Sequence, residues 1–203
     1  MEAWKIQAAE SLVTRLATEV HRRLDDGRCS SEFLDRLELH APALFDAYFE
    51  LYGWKWDFAY DLEAFVLTCL EAADMRAKWL RKRDRATHEW LFDPKTVWAM
   101  TYVDRFVGRF DALSRSIEHL QSLGVTHLHM MPPYDVPLPR NDGGYAVRSY
   151  RETRSDLGTI DELSEAITAL GEAGIGVILD FVANHTADTH RWAMAAKGGD
   201  PFY

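Results

Sequence analysis

Three polar clusters interrupt otherwise apolar stretches of the chain. Asp180-Phe181-Val182-Ala183-Asn184-His185-Thr186 puts a carboxylate, an amide and an imidazole at the end of an apolar run. Asn141-Asp142-Gly143-Gly144-Tyr145 links a second carboxylate to a phenol through two glycines. His127-Leu128-His129 sets two imidazoles at a spacing of two, which is one face of a strand. Carboxylates and imidazoles hydrogen-bond hydroxyls and move protons, and a phenol ring can stack on an apolar face. Each residue taken singly also has an ordinary reading: a satisfied strand-end Asp, a loop-capping Asn, a surface His. Asp180 sits among apolar residues, so if buried it must find a partner.

The elements that must position these clusters lie in the second half. Thr96–Val103 is β-prone and apolar on both faces, as in a strand of a buried parallel sheet. Phe110, Leu113, Ile117 and Leu120 recur at helical spacing up to Gly124, and Val125–Met131 predicts a second strand. Ile160, Leu163, Ile167 and Leu170 mark a second helix, opened by Thr159-Ile160-Asp161-Glu162, which fits a capping box, and closed by Gly174. Ile175–Val182 is a third strand. This alternation is the repeating unit of a parallel α/β fold, and doubly wound and barrel architectures both begin with it. Asp104-Arg105-Phe106-Val107-Gly108 stands where a glycine-rich phosphate loop would follow the first strand, which disfavours a dinucleotide-binding unit. The long connection between Met131 and Thr159 carries Pro132, Pro133, Pro137 and Pro139, so it reads as a stiff excursion. It leaves the C-terminal end of the second strand, the rim where barrel enzymes place their active sites. The Asp142 and Asp180 clusters therefore converge on one face.

The first half has a different grammar. Leu12, Leu16, Val20 and Leu24 recur at helical spacing until Asp25-Asp26-Gly27. Phe33, Leu34 and Leu37 begin a second segment after Ser30-Ser31. A third follows Pro42 with Leu44, Phe45, Tyr48, Phe49 and Tyr52, and Gly53 stops it. Leu62, Phe65, Val66 and Leu70 mark a fourth, which runs into the basic stretch Arg76–Arg85. With acidic residues around it and no glycine interleaved, that stretch reads as a solvated helix face.

Composition bounds the function. The 203 residues carry a formal net charge of -9 and are 47% hydrophobic, as expected of a soluble, core-forming protein. A complete TIM barrel needs roughly 250 residues. The negative charge argues against a nucleic-acid partner and is compatible with a neutral substrate. Two cysteines, Cys29 and Cys69, form no zinc or disulfide pattern. No signal peptide or membrane-length apolar run is present, so a cytoplasmic protein with no membrane partner is expected. No motif speaks to the oligomeric state.

Leu123-Gly124-Val125-Thr126-His127-Leu128-His129-Met130-Met131-Pro132, Gly144-Tyr145 with Tyr150, Leu157-Gly158-Thr159 and Asp180–His185 resemble the α-amylase family in order and spacing. The last matches that family's Asp-x-x-x-Asn-His signature at the end of barrel strand 3. Tyr102-Val103-Asp104-Arg105-Phe106, Asp142-Gly143-Gly144-Tyr145-Ala146-Val147 and Asn184-His185-Thr186 look like the amylosucrase and sucrose-hydrolase subgroup, as does a helical N-terminal extension. The resemblance implies an α/β fold. An all-helical N-terminal domain, residues 1–93, precedes the first three β/α units of a (β/α)8 TIM barrel. Residues 94–203 would hold strands 1–3 and the start of the insertion after strand 3.

It also implies a retaining enzyme that transfers or hydrolyses the α-glucosyl unit of sucrose or α-glucan oligosaccharides, with no cofactor. Asp142 would hydrogen-bond the glucosyl ring at the pocket bottom, and Tyr145 would stack beneath it. His185 would bond the same ring and stabilise developing charge, with Asp180 and Asn184 in support. An oxocarbenium-like transition state favours such dipoles and a π face. The counterpart of Asn184 ligates calcium in many α-amylases, but amylosucrases do not generally need it, so no metal is expected. The family's nucleophile and acid stand about 5–5.5 Å apart at the ends of strands 4 and 5, with a further essential Asp after strand 7, and no motif in this chain matches them. The expectation is the front part of a longer enzyme, unable to cleave sucrose by itself. Two alternatives stand beside it: a non-catalytic glucan-binding or interaction module, and a metal-dependent barrel hydrolase using His127 and His129. The second lacks the expected first-strand context, and His129 matches a family position with no metal role.

Overall fold

The computed structural model describes residues 3–25, 31–86 and 93–200. The helix stop at Asp26-Gly27, Cys29 and the closing Pro201-Phe202-Tyr203 lie outside the described residues. The chain divides into two compact units, Met1–His88 and Glu89–Tyr203.

The first unit holds helices α1 (Ala3–Asp25), α2 (Ser31–Tyr52), α3 (Phe58–Met75) and α4 (Lys78–Ala86). Leu12 and Leu16 of α1, Leu37, Ala41 and Phe45 of α2, and Leu62, Val66 and Leu70 of α3 close one core. Their recurrence every four residues gives each helix a single apolar stripe. The expected break at Pro42 does not occur, because α2 runs through it. A proline inside a helix costs about 3 kcal/mol. Leu37, Ala41 and Phe45 stay on one buried face across it, and burying each large apolar side chain returns about 1.5–3 kcal/mol. A second correction concerns the basic stretch. It is not a continuation of α3, because Arg76 turns extended (φ −65°, ψ 128°) and α4 starts afresh at Lys78. No helix among the described residues is long and apolar enough to cross a membrane.

The second unit is α/β. In chain order it holds β1 (Trp98–Thr101), α5 (Val103–Phe106), a 3-10 segment (Phe110–Ser116), α6 (Ile117–Ser122), β2 (His127–Met130) and β3 (Tyr134–Asp135). A 3-10 turn (Asp142–Gly144), β4 (Ser149–Thr153), α7 (Ile160–Glu172), β5 (Gly176–Leu179) and α8 (Arg191–Lys197) follow. Strands β1, β2 and β5 form a parallel sheet in that order, with Trp98 opposite His127 and His127 opposite Gly176. The three strands are shorter than the apolar runs that predict them, because pairing stops at the rim where β1 gives way to α5 and β5 to the polar Asp180. The stretch from Phe110 is not one helix either. Phe110 and Leu113, three apart and fully buried, suit the 3-10 spacing that places i and i+3 in line.

Strand alternation sorts the sheet into two faces. Leu128, Met130, Ala99, Val177 and Leu179 pack into a core with Phe110, Leu113 and Leu120 and with Leu163, Ala166 and Leu170 of α7. The other face carries Trp98, Met100, His127, His129, Gly176 and Ile178. There the Trp98 and His127 rings stack at 5.2 Å between centroids. The imidazole leans over β5, where a Cβ at Gly176 would come within 2.5 Å of His127 Cδ2. Thr159 caps α7: its hydroxyl accepts from the Glu162 amide (3.2 Å), and Glu162 Oε2 accepts from the Thr159 amide (2.7 Å). The long proline-bearing connection folds into a two-stranded antiparallel sheet, β3 with β4, which the sequence does not announce.

Candidate functional site

Asp180 follows β5 directly, in phase with Ile178 and Gly176, so its side chain shares a face with His129 of the neighbouring β2. His129 Nε2 donates to Asp180 Oδ1 at 2.7 Å, and the Tyr145 hydroxyl donates to Asp180 Oδ2 at 2.7 Å. The partner that burial demands is thus two partners, one on each carboxylate oxygen. The Asp180 side chain is 23% exposed and that of His129 27%. Burial alone would push the Asp180 carboxyl up, but the bonds from Tyr145 and His129 outweigh it and hold the group below its ordinary value. The bond to Asp180, aided by burial, pushes the Tyr145 phenol up to about 12.

Tyr145 reaches this position from a tight turn. Asn141 Oδ1 accepts from the Gly144 amide at 3.0 Å, and the Ala146 amide donates to the Asn141 carbonyl at 3.0 Å. Gly144 has φ +96°, and a Cβ there would lie 3.1 Å from the Pro132 carbonyl, so a side chain is refused both by conformation and by space. The Tyr145 hydroxyl also lies 3.9 Å from Met131 Sδ.

The loop after Asp180 is tied to β4. The Tyr150 hydroxyl donates to the Val182 carbonyl and, at 3.3 Å, to the His185 carbonyl, while the Ala187 amide donates to the Val147 carbonyl at 2.8 Å. These bonds fix the backbone that carries Asn184 and His185. Both of those side chains are exposed and make no hydrogen bond or ion pair among the described residues. The same holds for the Asp142 carboxylate, which tops the turn at φ +52°. Of the five residues singled out by sequence, the structure joins Asp180 and Tyr145 in direct contact. It leaves Asp142, Asn184 and His185 at the surface with open donors and acceptors.

Sequence reasoning missed two contributors. His129 was paired with His127 as an imidazole couple, yet His127 Nδ1 meets the Thr126 hydroxyl at 3.0 Å while His129 turns to Asp180. No local signal announces that contact, which follows from the register of β2 against β5. Tyr150 appeared only as a motif position, and its anchoring role depends on a loop 32 and 35 residues away. An open cleft of about 750 Å³ is bordered by Tyr150, Phe181, Thr186, His190 and Trp192. None of Asp142, Tyr145, Asp180 or His185 lines it, and Asp180, Tyr145 and His129 meet in the hydrogen-bonded cluster instead. Among the described residues, no three His, Cys, Asp or Glu are grouped to hold a metal ion.

The family model described as "Alpha amylase, catalytic domain" matches residues 77–201, more than half of the chain. The chain belongs to the α-amylase family. Its parallel sheet is accordingly part of the family's barrel, preceded by a helical region. Among its relatives, the glucan 1,6-α-glucosidase of Streptococcus dysgalactiae subsp. equisimilis is 32% identical over 91 residues, covering 45% of this chain and 17% of that enzyme. The trehalose synthase of a Pimelobacter species is 39% identical over 94 residues, covering 46% of this chain and 16% of that enzyme. The solved structure of the trehalulose synthase MutB from Pseudomonas mesoacidophila MX-45 is 25% identical, with a TM-score of 0.47 over 51% of this chain and 19% of that one. The α-amylase-family chain thus spans less than a fifth of the length of each of these proteins.

Proposed function

We propose that this chain forms one wall of an α-glucoside pocket, belonging to an α-amylase-family enzyme that transfers or hydrolyses the glucosyl unit of sucrose or an α-glucan. The observation that carries the reading is the Tyr145 ring, held by its hydroxyl on Asp180, with the exposed Asp142 in the turn that leads into Tyr145 and the exposed His185 on the loop that leaves Asp180. In this reading Tyr145 stacks under the glucosyl ring, and Asp142 and His185 take its hydroxyls. His185 also stabilises charge as the glycosidic bond opens, while Asp180 and Asn184 support the site. The names of the two relatives, a glucan 1,6-α-glucosidase and a trehalose synthase, support an α-glucosyl substrate. The run Asp142-Gly143-Gly144-Tyr145-Ala146-Val147 supports sucrose and the amylosucrase subgroup. The helical domain over residues 1–93 and the barrel start over residues 94–203 belong to the same proposal.

The chain alone is proposed to bind without cleaving. Asp180 has both oxygens engaged, so it is placed neither to attack an anomeric carbon nor to protonate a leaving group. Calorimetric titration with methyl α-glucoside and sucrose, alongside chromatography of released sugars, tests both parts. Binding by the wild-type chain that is lost in Tyr145→Ala is expected, with no glucose or fructose release above a His185→Ala control. Absence of binding would overturn the pocket, and release above the control would overturn the non-cleaving reading.

A further inference from the structure

We infer that His129 is a positioning residue: its imidazole fixes the carboxylate of Asp180, which in turn fixes the hydroxyl of the Tyr145 platform. The inference rests on the reading of Tyr145 as the surface on which a glucosyl ring lies.

The three residues descend in backbone restraint. His129 stands on β2, the central strand, paired on one side with β1 and on the other with β5. Asp180 lies one residue past the ladder, its amide donating to the Met130 carbonyl at 3.3 Å. Tyr145 sits in the connection beyond β2, held locally by the turn at Asn141–Gly144. A strand-end carboxylate that accepts one bond can still rotate about that bond. One that accepts through both oxygens, from donors on different elements, has its plane set. With His129 on Oδ1, Oδ2 is presented to the Tyr145 hydroxyl, and both bonds are 2.7 Å. A carboxylate only accepts, so the His129 ring carries its proton on Nε2, and the tautomer is fixed by the contact. The order of control runs from the central strand through the acid to the loop aromatic.

The test compares His129→Gln with His129→Asn in the whole chain. A glutamine amide nitrogen reaches about as far as imidazole Nε2 and can donate to Asp180, whereas the asparagine amide falls short. Nitrogen-15 NMR of the wild-type imidazoles should show His129 protonated at Nε2. The Tyr145 Cζ resonance, assigned by its loss in Tyr145→Phe, should shift toward that of a solvated phenol in His129→Asn and stay in place in His129→Gln. Affinity for methyl α-glucoside should fall about tenfold in His129→Asn and stay within about twofold of wild type in His129→Gln. An unmoved Tyr145 resonance in His129→Asn overturns the inference, as does an Nδ1-protonated ring in the wild type. The wild-type tautomer decides the matter if His129→Asn does not fold. If the resonance moves as expected but no protein binds the glucoside, the positioning chain stands and the platform reading fails.

Discussion

Asp135 and Arg148, 13 residues apart, face each other with two hydrogen bonds of 2.6 Å, Nε to Oδ2 and Nη2 to Oδ1. The Arg148 amide also donates to the Asp135 carbonyl at 2.8 Å, so one residue pair ties β3 to the residue just before β4 through side chain and backbone together. The pair is lopsided, with side-chain exposures of 12% for Asp135 and 47% for Arg148. Arg148→Ala would strand a mostly buried carboxylate, and about 1–2 kcal/mol of stability should be lost, discounted for the solvated arginine. Arg148→Lys should recover only part of that, because an ammonium cannot reproduce the two-pronged contact. The midpoint of urea unfolding measures both.

Acid should loosen the site at Asp180. Its folded pKa lies below the unfolded value of 3.8, so the stability linked to it is complete above that value and is lost as pH falls through the folded pKa. Unfolding midpoints followed from pH 6 to pH 2 should therefore decline less steeply in Asp180→Asn than in the wild type, after subtraction of the loss at neutral pH. Tyr145 acts at the opposite end. Its pKa is raised from 10.0 to about 12, so its contribution is complete below pH 10 and disappears as pH rises through about 12.

Removing the Tyr150 hydroxyl should release the loop that bears His185. Tyr150→Phe keeps the ring contacts with Tyr134 and Phe181 but gives up both carbonyl bonds. A cost of about 1 kcal/mol is expected, together with faster hydrogen exchange at the Ala187 amide.

Two substitutions in α7 should separate its cap from its core. Thr159→Ala removes one half of a capping box and should cost about 1 kcal/mol. Leu170→Ala empties a fully buried site and should cost about 2–5 kcal/mol. Thermal unfolding of the two variants should rank them in that order.

What the sequence revealed depended on range. The Thr159–Glu162 box was legible because both partners lie within one helical turn, and the strands were legible from unbroken apolar runs. Pro42 misled, because a local rule about helix breaking competes with burial of Leu37, Ala41 and Phe45, which only the packed core shows. The β3–β4 pairing escaped notice because β3 is two residues long and carries no alternation to read. His129 and Asp180 are 51 residues apart, and their contact follows only from the register of β2 against β5. The strand phase placed both on one face, but nothing local to either said that they would touch.

The stacked imidazole of His127 has a consequence for how this sheet can change over generations. It occupies the volume in which a side chain at Gly176 would stand, so the two positions hold a single allotment of bulk between them. Enlarging residue 176 displaces the ring from its place against Trp98, and shrinking residue 127 frees space that a larger residue on β5 could take. Substitutions at these two sites should therefore travel as compensating pairs among descendants of this chain.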